Sequence, residues 1–362
     1  MTKLFIELIQ ISISSRVCLS RTPNATEWGE LYAVAKKQSL VGVCFAAVQR
    51  LSNIEDSINH TSYTINLSEV LYLQWLGMAA KIQQRNQVVD EQCVALQKRL
   101  SADGFRSCVL KGQGVGQQYD EHLRGLRQSG DIDVWLDGSH ESIMEYVNRV
   151  SPTNEVRWLH TQMKVFQDTD VEVHFRPSYL ECPWQDRALQ KFFDSEKEAC
   201  FANGRCTDRF NLVFILAHAF RHVFSEGVGL RQLMDYYFVL KNSKERMSRE
   251  EFTEVMKATG MYGFAKAVMW IMQEVFGLGE EYLLCETSEK DGRFLSDEVM
   301  QSGNFGHQDE RVKHRADESA FHRFWRIALY NCRVVRFSPW IVVCSSFWRL
   351  WHWSWRKRKG YK

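Results

Sequence analysis

The segment Gly130-Asp131-Ile132-Asp133-Val134-Trp135-Leu136 places two carboxylates two residues apart inside an otherwise apolar run. Read as a strand, it puts both on one face, about 6–7 Å apart along the backbone. Carboxylates buried side by side repel each other and resist ionisation unless a cation neutralises them. Two Mg²⁺ ions about 3.5–4 Å apart suit such a pair and drive in-line phosphoryl or nucleotidyl transfer. The competing reading is an exposed edge strand whose aspartates are solvated.

The surroundings favour the first reading. Upstream, Ser107-Cys108-Val109-Leu110 reads as a short strand running into Lys111-Gly112-Gln113-Gly114-Val115-Gly116, with helical character from Gln117 to Glu121. A strand, a glycine turn and a helix start bring backbone N–H groups toward a phosphate. Downstream, Lys164-Val165-Phe166-Gln167 and Val171-Glu172-Val173-His174-Phe175 read as two strands joined by Asp168-Thr169-Asp170. Glu172 supplies a third carboxylate between apolar neighbours. Asp170 shares its face, but its turn-like Asp-Thr-Asp setting ranks it below Glu172.

Leu110-Lys111-Gly112, Arg127 with Ser129-Gly130-Asp131-Ile132-Asp133, and Val171-Glu172-Val173-His174 together resemble the polymerase-β-type nucleotidyltransferase superfamily. Within it, the resemblance is to the uncharacterised bacterial nucleotidyltransferases often found near surface-polysaccharide genes. The motifs span residues 105 to 176, and looser helical similarity extends on both sides. The resemblance implies that Asp131 and Asp133 hold two Mg²⁺ ions and that Glu172 completes the metal site or assists deprotonation of the acceptor. It implies a triphosphate site made by Lys111, Gly112, Gly114, Arg127, Ser129 and Gly130. The reaction implied is attack of an acceptor hydroxyl on the α-phosphate of an NTP. This chain departs from the superfamily pattern in carrying Lys-Gly-Gln-Gly after the first strand, a long interval from Gly112 to Asp131, and Glu where Asp is commoner.

Two other readings compete with this one. A glycine cluster with an acid 19 residues on is also a feature of dinucleotide-binding folds, but the spacing here is G-x-G-x-G and no alternation of strands and helices follows. A fold-sharing protein that binds nucleotide without turnover is the non-enzyme alternative, and the intact Asp131, Asp133 and Glu172 argue against it.

A chain of 362 residues predicts more than one packed unit. The divisions read as an N-terminal helical region (1–100), a catalytic α/β core (101–181), a helical domain with a polar loop (182–320) and a basic, Trp-rich tail (321–362). The fold class expected is α+β: a small mixed sheet flanked by helical regions. A capped helix is expected from Asn24, and a long helical pattern from 68 to 100 includes Val70, Leu73, Leu76 and Ala80. Ser139 to Val150 reads as another helix, and residues 54–66 and 286–320 read as polar loops or poorly packed helix.

The formal net charge of +2 hides an asymmetry, since residues 321–362 hold ten Lys or Arg and no acid, leaving 36 basic against 44 acidic residues in 1–320. A globally basic nucleic-acid binder is not indicated. The ten cysteines show no C-x-x-C pair and no zinc-ligand spacing, so they read as small hydrophobes in a reducing cytosol. Met1 to Ser20 reads as an amphipathic helix rather than a signal peptide, and no transmembrane run is expected.

In the helical half, His218 and His222 stand at i and i+4, a spacing that binds metals but that also suits a hydrogen-bonded helix face. Arg231 and Asp235 at i and i+4 suggest an intrahelical ion pair. By resemblance this half lines the acceptor or base pocket, which makes His222 and Arg231 second-rank candidates. In the tail, six of the twelve Trp residues lie between Trp325 and Trp355, interleaved with arginines and followed by Arg356-Lys357-Arg358-Lys359. That pattern suits an anionic membrane surface. Single-stranded nucleic acid and packing on the protein's own body are the alternatives.

Overall fold

A computed structural model describes residues 1–54, 65–225, 227–244, 247–303 and 331–361, together with His322, Arg326 and Leu329. Most of the expected loop at 54–66, and the polar stretch 304–320, lie outside these described residues. The fold is α+β. Four helices come first: α1 (Thr2–Ser12), α2 (Ala25–Lys37), α3 (Val41–Ile54) and α4 (Glu69–Ala102). α2 starts where the sequence says it should, because Asn24 accepts from Glu27 N–H and the Glu27 carboxylate accepts from Asn24 N–H. α1 is amphipathic, and it buries Leu4, Phe5, Leu8, Ile9 and Ile11 in the protein's own core.

The sheet holds β1 (Ser107–Leu110), β2 (Ile132–Leu136), β3 (His160–Gln162) and β4 (Val171–His174) in the order β1-β2-β4-β3. β2 and β4 run parallel, and the outer pairs are antiparallel. Short helices α5 (Lys111–Gly116) and α6 (Glu121–Arg124) follow β1, and α7 (His140–Val150), capped by the Ser139 hydroxyl, follows β2. The third strand is displaced from the expected Lys164–Gln167 to His160–Gln162. The register pairs His160 with His174 and Gln162 with Glu172, so residues 164–167 would fall opposite 170–167, inside the connection itself.

Alternation divides the sheet's two faces. Ile132, Val134, Leu136, Val171 and Val173 pack with Val89, Cys93 and Leu96 of α4 and with Ile143 and Val147 of α7. The opposite face begins apolar, with Trp135 against Phe201 and Phe210 at ring-centroid distances of 4.6 and 5.9 Å. It turns polar toward the start of β2, and that change of character locates the site. In α4 the apolar positions that signal the helix are not the ones it buries: Val70, Leu73, Leu76 and Ala80 are exposed, and the seam is Trp75, Ala79, Ile82, Val89 and Leu96. A 34-residue helix carries more than one apolar stripe, and the sheet's position decides which one faces inward.

The helical half comprises α8 (Pro183–Asn203), α9 (Asp208–Val223), α10 (Leu230–Asn242), α11 (Arg249–Ala258), α12 (Tyr262–Glu274) and α13 (Glu289–Ser302). α13 corrects the expectation of a loop or poorly packed helix after 286. Leu295 and Val299 are buried together with the polar Glu298, which pairs with Arg333, and Ser302, and Gly292 lets Trp270 approach so closely that a Cβ would sit 2.4 Å from the ring. One apolar cluster runs from Leu4 to Ile341 and joins the N-terminal helices to the helical half.

The C-terminal helix Pro339–Lys359 packs one side on the body. Trp348 stacks on Tyr179 at 4.8 Å between ring centroids, and Trp351 and Trp355 meet Trp158 at 4.9 and 5.5 Å. Its other side leaves Trp340, Val343, Phe347, Leu350 and Trp353 exposed. Among the described residues no helix is long and apolar enough to cross a membrane.

Candidate active site

The register brings the carboxylates together. Asp133 of β2 is the direct neighbour of Glu172 on β4, and Asp131 stands two residues before Asp133, just ahead of the strand. One oxygen from each of Asp131, Asp133 and Glu172 lies within 4.8 Å of the others. Asp133 is 3 % exposed, Glu172 is half-buried, and Asp131 sits at the exposed mouth.

Lys111 enters this group from an elbow. β1 stops at Leu110, and Lys111 takes a positive φ of 41° before Gly112 leaves helical geometry altogether (φ 12°, ψ −101°). A non-glycine residue held at positive φ stores strain that its surroundings must over-determine. Here the elbow puts Lys111 Nζ 2.6 Å from Asp133 Oδ1. His174 Nε2 reaches the same oxygen at 2.8 Å and Glu172 Oε2 at 3.5 Å, while His160 Nδ1 lies 3.1 Å from Glu172 Oε2.

The electrostatics follow from this crowding. Asp133, together with burial, pushes the Asp131 carboxyl up to about 6. Burial pushes Glu172 up, but the His174 hydrogen bond and the Lys111 charge outweigh it and hold the carboxyl down at about 2. Burial disfavours the charged forms of Lys111 and His174, yet Asp133 and Glu172 raise both above their ordinary values. Burial, His174 and Lys111 depress His160 to about 2, so its ring is neutral.

Lys111, Asp131, Asp133, His160 and Glu172 line a pocket of about 360 Å³ whose far wall comes from α9 and α10: His218, Arg221 and His222, then Arg231 and Asp235. The His218 and His222 rings meet edge to face at 4.4 Å between centroids, and burial with the neighbouring His222 and Lys111 pushes His218 well below its ordinary value.

The loop leading to Asp131 is held from two sides. Asn86 of α4 donates to Gly125 O (2.7 Å) and Arg127 O (2.6 Å), and Arg231 Nη1 donates to Gln128 O (2.7 Å). Arg127 is buried and gives Nε and Nη2 to the Asp235 carboxylate at 2.7 and 2.8 Å, which also accepts the Tyr119 hydroxyl at 2.7 Å. Asp235 thus pairs across the fold with Arg127, a partner the sequence does not suggest. Ser129 Oγ is buried without a hydrogen-bond partner among the described residues.

Of the sequence candidates, Lys111, Gly112, Arg127, Gly130, Asp131, Asp133, Glu172, His222 and Arg231 line the one pocket. Gly114 and Ser129 do not. Gly114 lies against β1, where a Cβ would meet Val109 O at 2.6 Å, and it borders two other cavities. Beyond the kink at Gly112, Gly114 and Gly116 lie in the helical turn of α5 instead of an open loop. The sequence does not single out His160, His174 or Arg221, and it marks His218 only by its i, i+4 spacing with His222. His174 carried a signal, since it shares Glu172's face at i+2; His160 reaches the site only through pairing with His174.

Three hard carboxylate oxygen donors suit a divalent cation of the Mg²⁺ type better than a soft one. No curated protein and no solved structure matches the chain. A family model described as "Uncharacterised nucleotidyltransferase" matches residues 24–277, a span that includes Lys111, the three carboxylates, α9 and α10. The chain belongs to that nucleotidyltransferase family, whose members are transferases of phosphorus-containing groups acting on a nucleotide substrate.

Proposed function

We propose that the protein transfers a nucleoside monophosphate from an NTP to a hydroxyl acceptor and releases pyrophosphate. The observation that carries this reading is the convergence of Asp131, Asp133 and Glu172 oxygens within 4.8 Å of one another, beside the Lys111 ammonium in one pocket. Asp131, Asp133 and Glu172 would hold two Mg²⁺ ions, which supply charge neutralisation of the phosphates and activation of the acceptor oxygen.

The chain's own groups divide the remaining work. Lys111 gives the triphosphate a point charge that Asp133 keeps protonated and oriented. Gly112 and Gly130 border the pocket without side chains and leave room for phosphate oxygens. Arg127 acts as a positioning residue, because its guanidinium is given to Asp235 while its backbone helps fix the approach to Asp131. A carboxyl held at about 2 is a weak base and a good metal ligand, which favours the ligand role for Glu172. His222 and Arg231 face the carboxylates from the helical wall, where the base or acceptor would lie.

Following the resemblance in the sequence, we propose a role in surface-polysaccharide metabolism, with the class of the hydroxyl acceptor to be identified by the assay below. Trp340, Val343, Phe347 and Leu350 recur at three and four residues along the exposed side of the C-terminal helix, ahead of Arg356-Lys357-Arg358-Lys359. That stripe and its basic end suit docking on an anionic membrane surface. The transfer reading is tested by incubating the protein with Mg²⁺ and each NTP against sugar phosphates, RNA and protein acceptors, and following pyrophosphate.

A further inference from the structure

Three cysteines far apart in sequence meet where β1 abuts the turn between α8 and α9. Cys108 lies on β1, Cys200 in the last turn of α8, and Cys206 just ahead of α9. Their sulfur atoms all lie within 4.8 Å of one another, and Cys108 Sγ and Cys206 Sγ are 3.5 Å apart. Tetrahedral Zn²⁺, with Zn–S bonds of about 2.3 Å, spaces its sulfurs about 3.8 Å apart. Small side-chain rotations would therefore close this trio on one ion.

The surroundings hold the sulfurs from outside. Thr207 N–H lies 3.5 Å from Cys200 Sγ, in the manner of the backbone donors that support thiolate ligands. The turn is pinned to β1: Val109 N–H donates to Gly204 O at 3.4 Å, and Gln97 Nε2 donates to the same carbonyl at 2.6 Å. Cys206 and Thr207 also line a cavity of about 470 Å³, separate from the carboxylate pocket, which gives an ion a way in.

We propose that Cys108, Cys200 and Cys206 form a second metal site, selective for a soft divalent cation of the Zn²⁺ class, with a solvent oxygen from the cavity as fourth ligand. Binding would replace the sulfur-bound protons with metal–sulfur bonds and release those protons to water. Thiolate sulfur prefers Zn²⁺ to Mg²⁺, so this site and the carboxylate site would not compete for one ion. An ion here would clamp the sheet's edge strand onto the helical half, three residues ahead of Lys111.

The test uses Cd²⁺ as probe on the full-length reduced protein in a Cys18→Ser/Cys332→Ser background, which removes two exposed thiols. The expected result is a thiolate-to-Cd²⁺ charge-transfer band that saturates at one equivalent, is displaced by Zn²⁺ and ignores excess Mg²⁺. Cys206→Ser and Cys200→Ser should each weaken affinity by about tenfold or more. A band that never saturates, or one unchanged by Cys206→Ser, would overturn the proposal. Should those variants fail to fold, alkylation of the parent decides it. Cd²⁺ should protect Cys108, Cys200 and Cys206 together, and protection of other cysteines instead would refute the site.

Discussion

Lys111 Nζ lies 2.6 Å from Asp133 Oδ1, the oxygen that His174 Nε2 also approaches at 2.8 Å. The most buried carboxylate of the site is thus already paired, whereas Asp131 is the one that bears its neighbour's repulsion. The two aspartates should therefore answer differently to the same substitution.

Asp133→Asn leaves Lys111 and His174 facing a neutral amide inside the fold. We expect it to lower metal-free stability by about 2–3 kcal/mol, as for a buried charge that loses its partner. Asp131→Asn removes the repelled group instead. The folded pKa of about 6 lies above the ordinary 3.8, so the ionised form costs stability at neutral pH and nothing below 3.8. Asp131→Asn should thus be neutral or slightly stabilising at pH 7, the gain limited by solvent at the pocket mouth, and should vanish in acid. Denaturant titrations without divalent cations check both, and equal destabilisation by the two variants would sink the argument.

Lys111→Ala should weaken nucleotide binding by about tenfold or more, because one charge-assisted contact to phosphate is lost. The same change leaves three carboxylates less neutralised, so Mg²⁺ should raise the melting temperature more in the variant than in the wild type. Isothermal titration showing unchanged NTP affinity would reassign Lys111 to a purely structural role.

The Arg127–Asp235 pair is buried at both ends. Arg127→Ala or Asp235→Ala should each cost about 3–5 kcal/mol by stranding the partner, whereas Arg127→Met with Asp235→Leu should recover most of that loss. Chemical denaturation of the set decides. A single substitution without cost would remove the positioning role given to Arg127.

The C-terminal helix is anchored by Trp348 on Tyr179, so deleting it would expose part of the body, and surface substitutions are the cleaner probe. Binding to anionic vesicles should exceed binding to neutral ones and should weaken with salt, at about 1 kcal/mol for each basic residue near the surface. Phe347→Asp, at a residue 72 % exposed, and neutralisation of residues 356–359 should each reduce co-sedimentation while leaving the fold intact. Equal binding to both vesicle types would exclude the electrostatic part of this account.

The sequence made β1, β2 and β4 legible because their signals are local. Asp131-Ile132-Asp133 and Val171-Glu172-Val173 mark strands by alternation, and Asn24 with Glu27 marks a helix start by cap chemistry. What it could not carry were partners set by register and docking. His160 joins the site only because the β3–β4 hairpin pairs it with His174. Arg127 meets Asp235 across 108 residues, a pairing no local spacing signals. The inward stripe of α4 was misleading for the same reason, since Val70 and Leu73 are as apolar as Ile82 and Val89, and only the sheet's position separates them. The Cys108, Cys200 and Cys206 trio has no spacing signature at all.

The most direct test of the central claim is transfer of label from α-³²P-labelled NTPs in the presence of Mg²⁺, with pyrophosphate measured alongside. The wild-type protein should release pyrophosphate and attach the labelled nucleotide to one acceptor class, only when the divalent cation is present. Asp133→Asn should lose on the order of 10³-fold in rate, the several kcal/mol that a metal-centred charge contributes to such a transition state. Release of inorganic phosphate without label transfer, or full activity in Asp133→Asn, would contradict it.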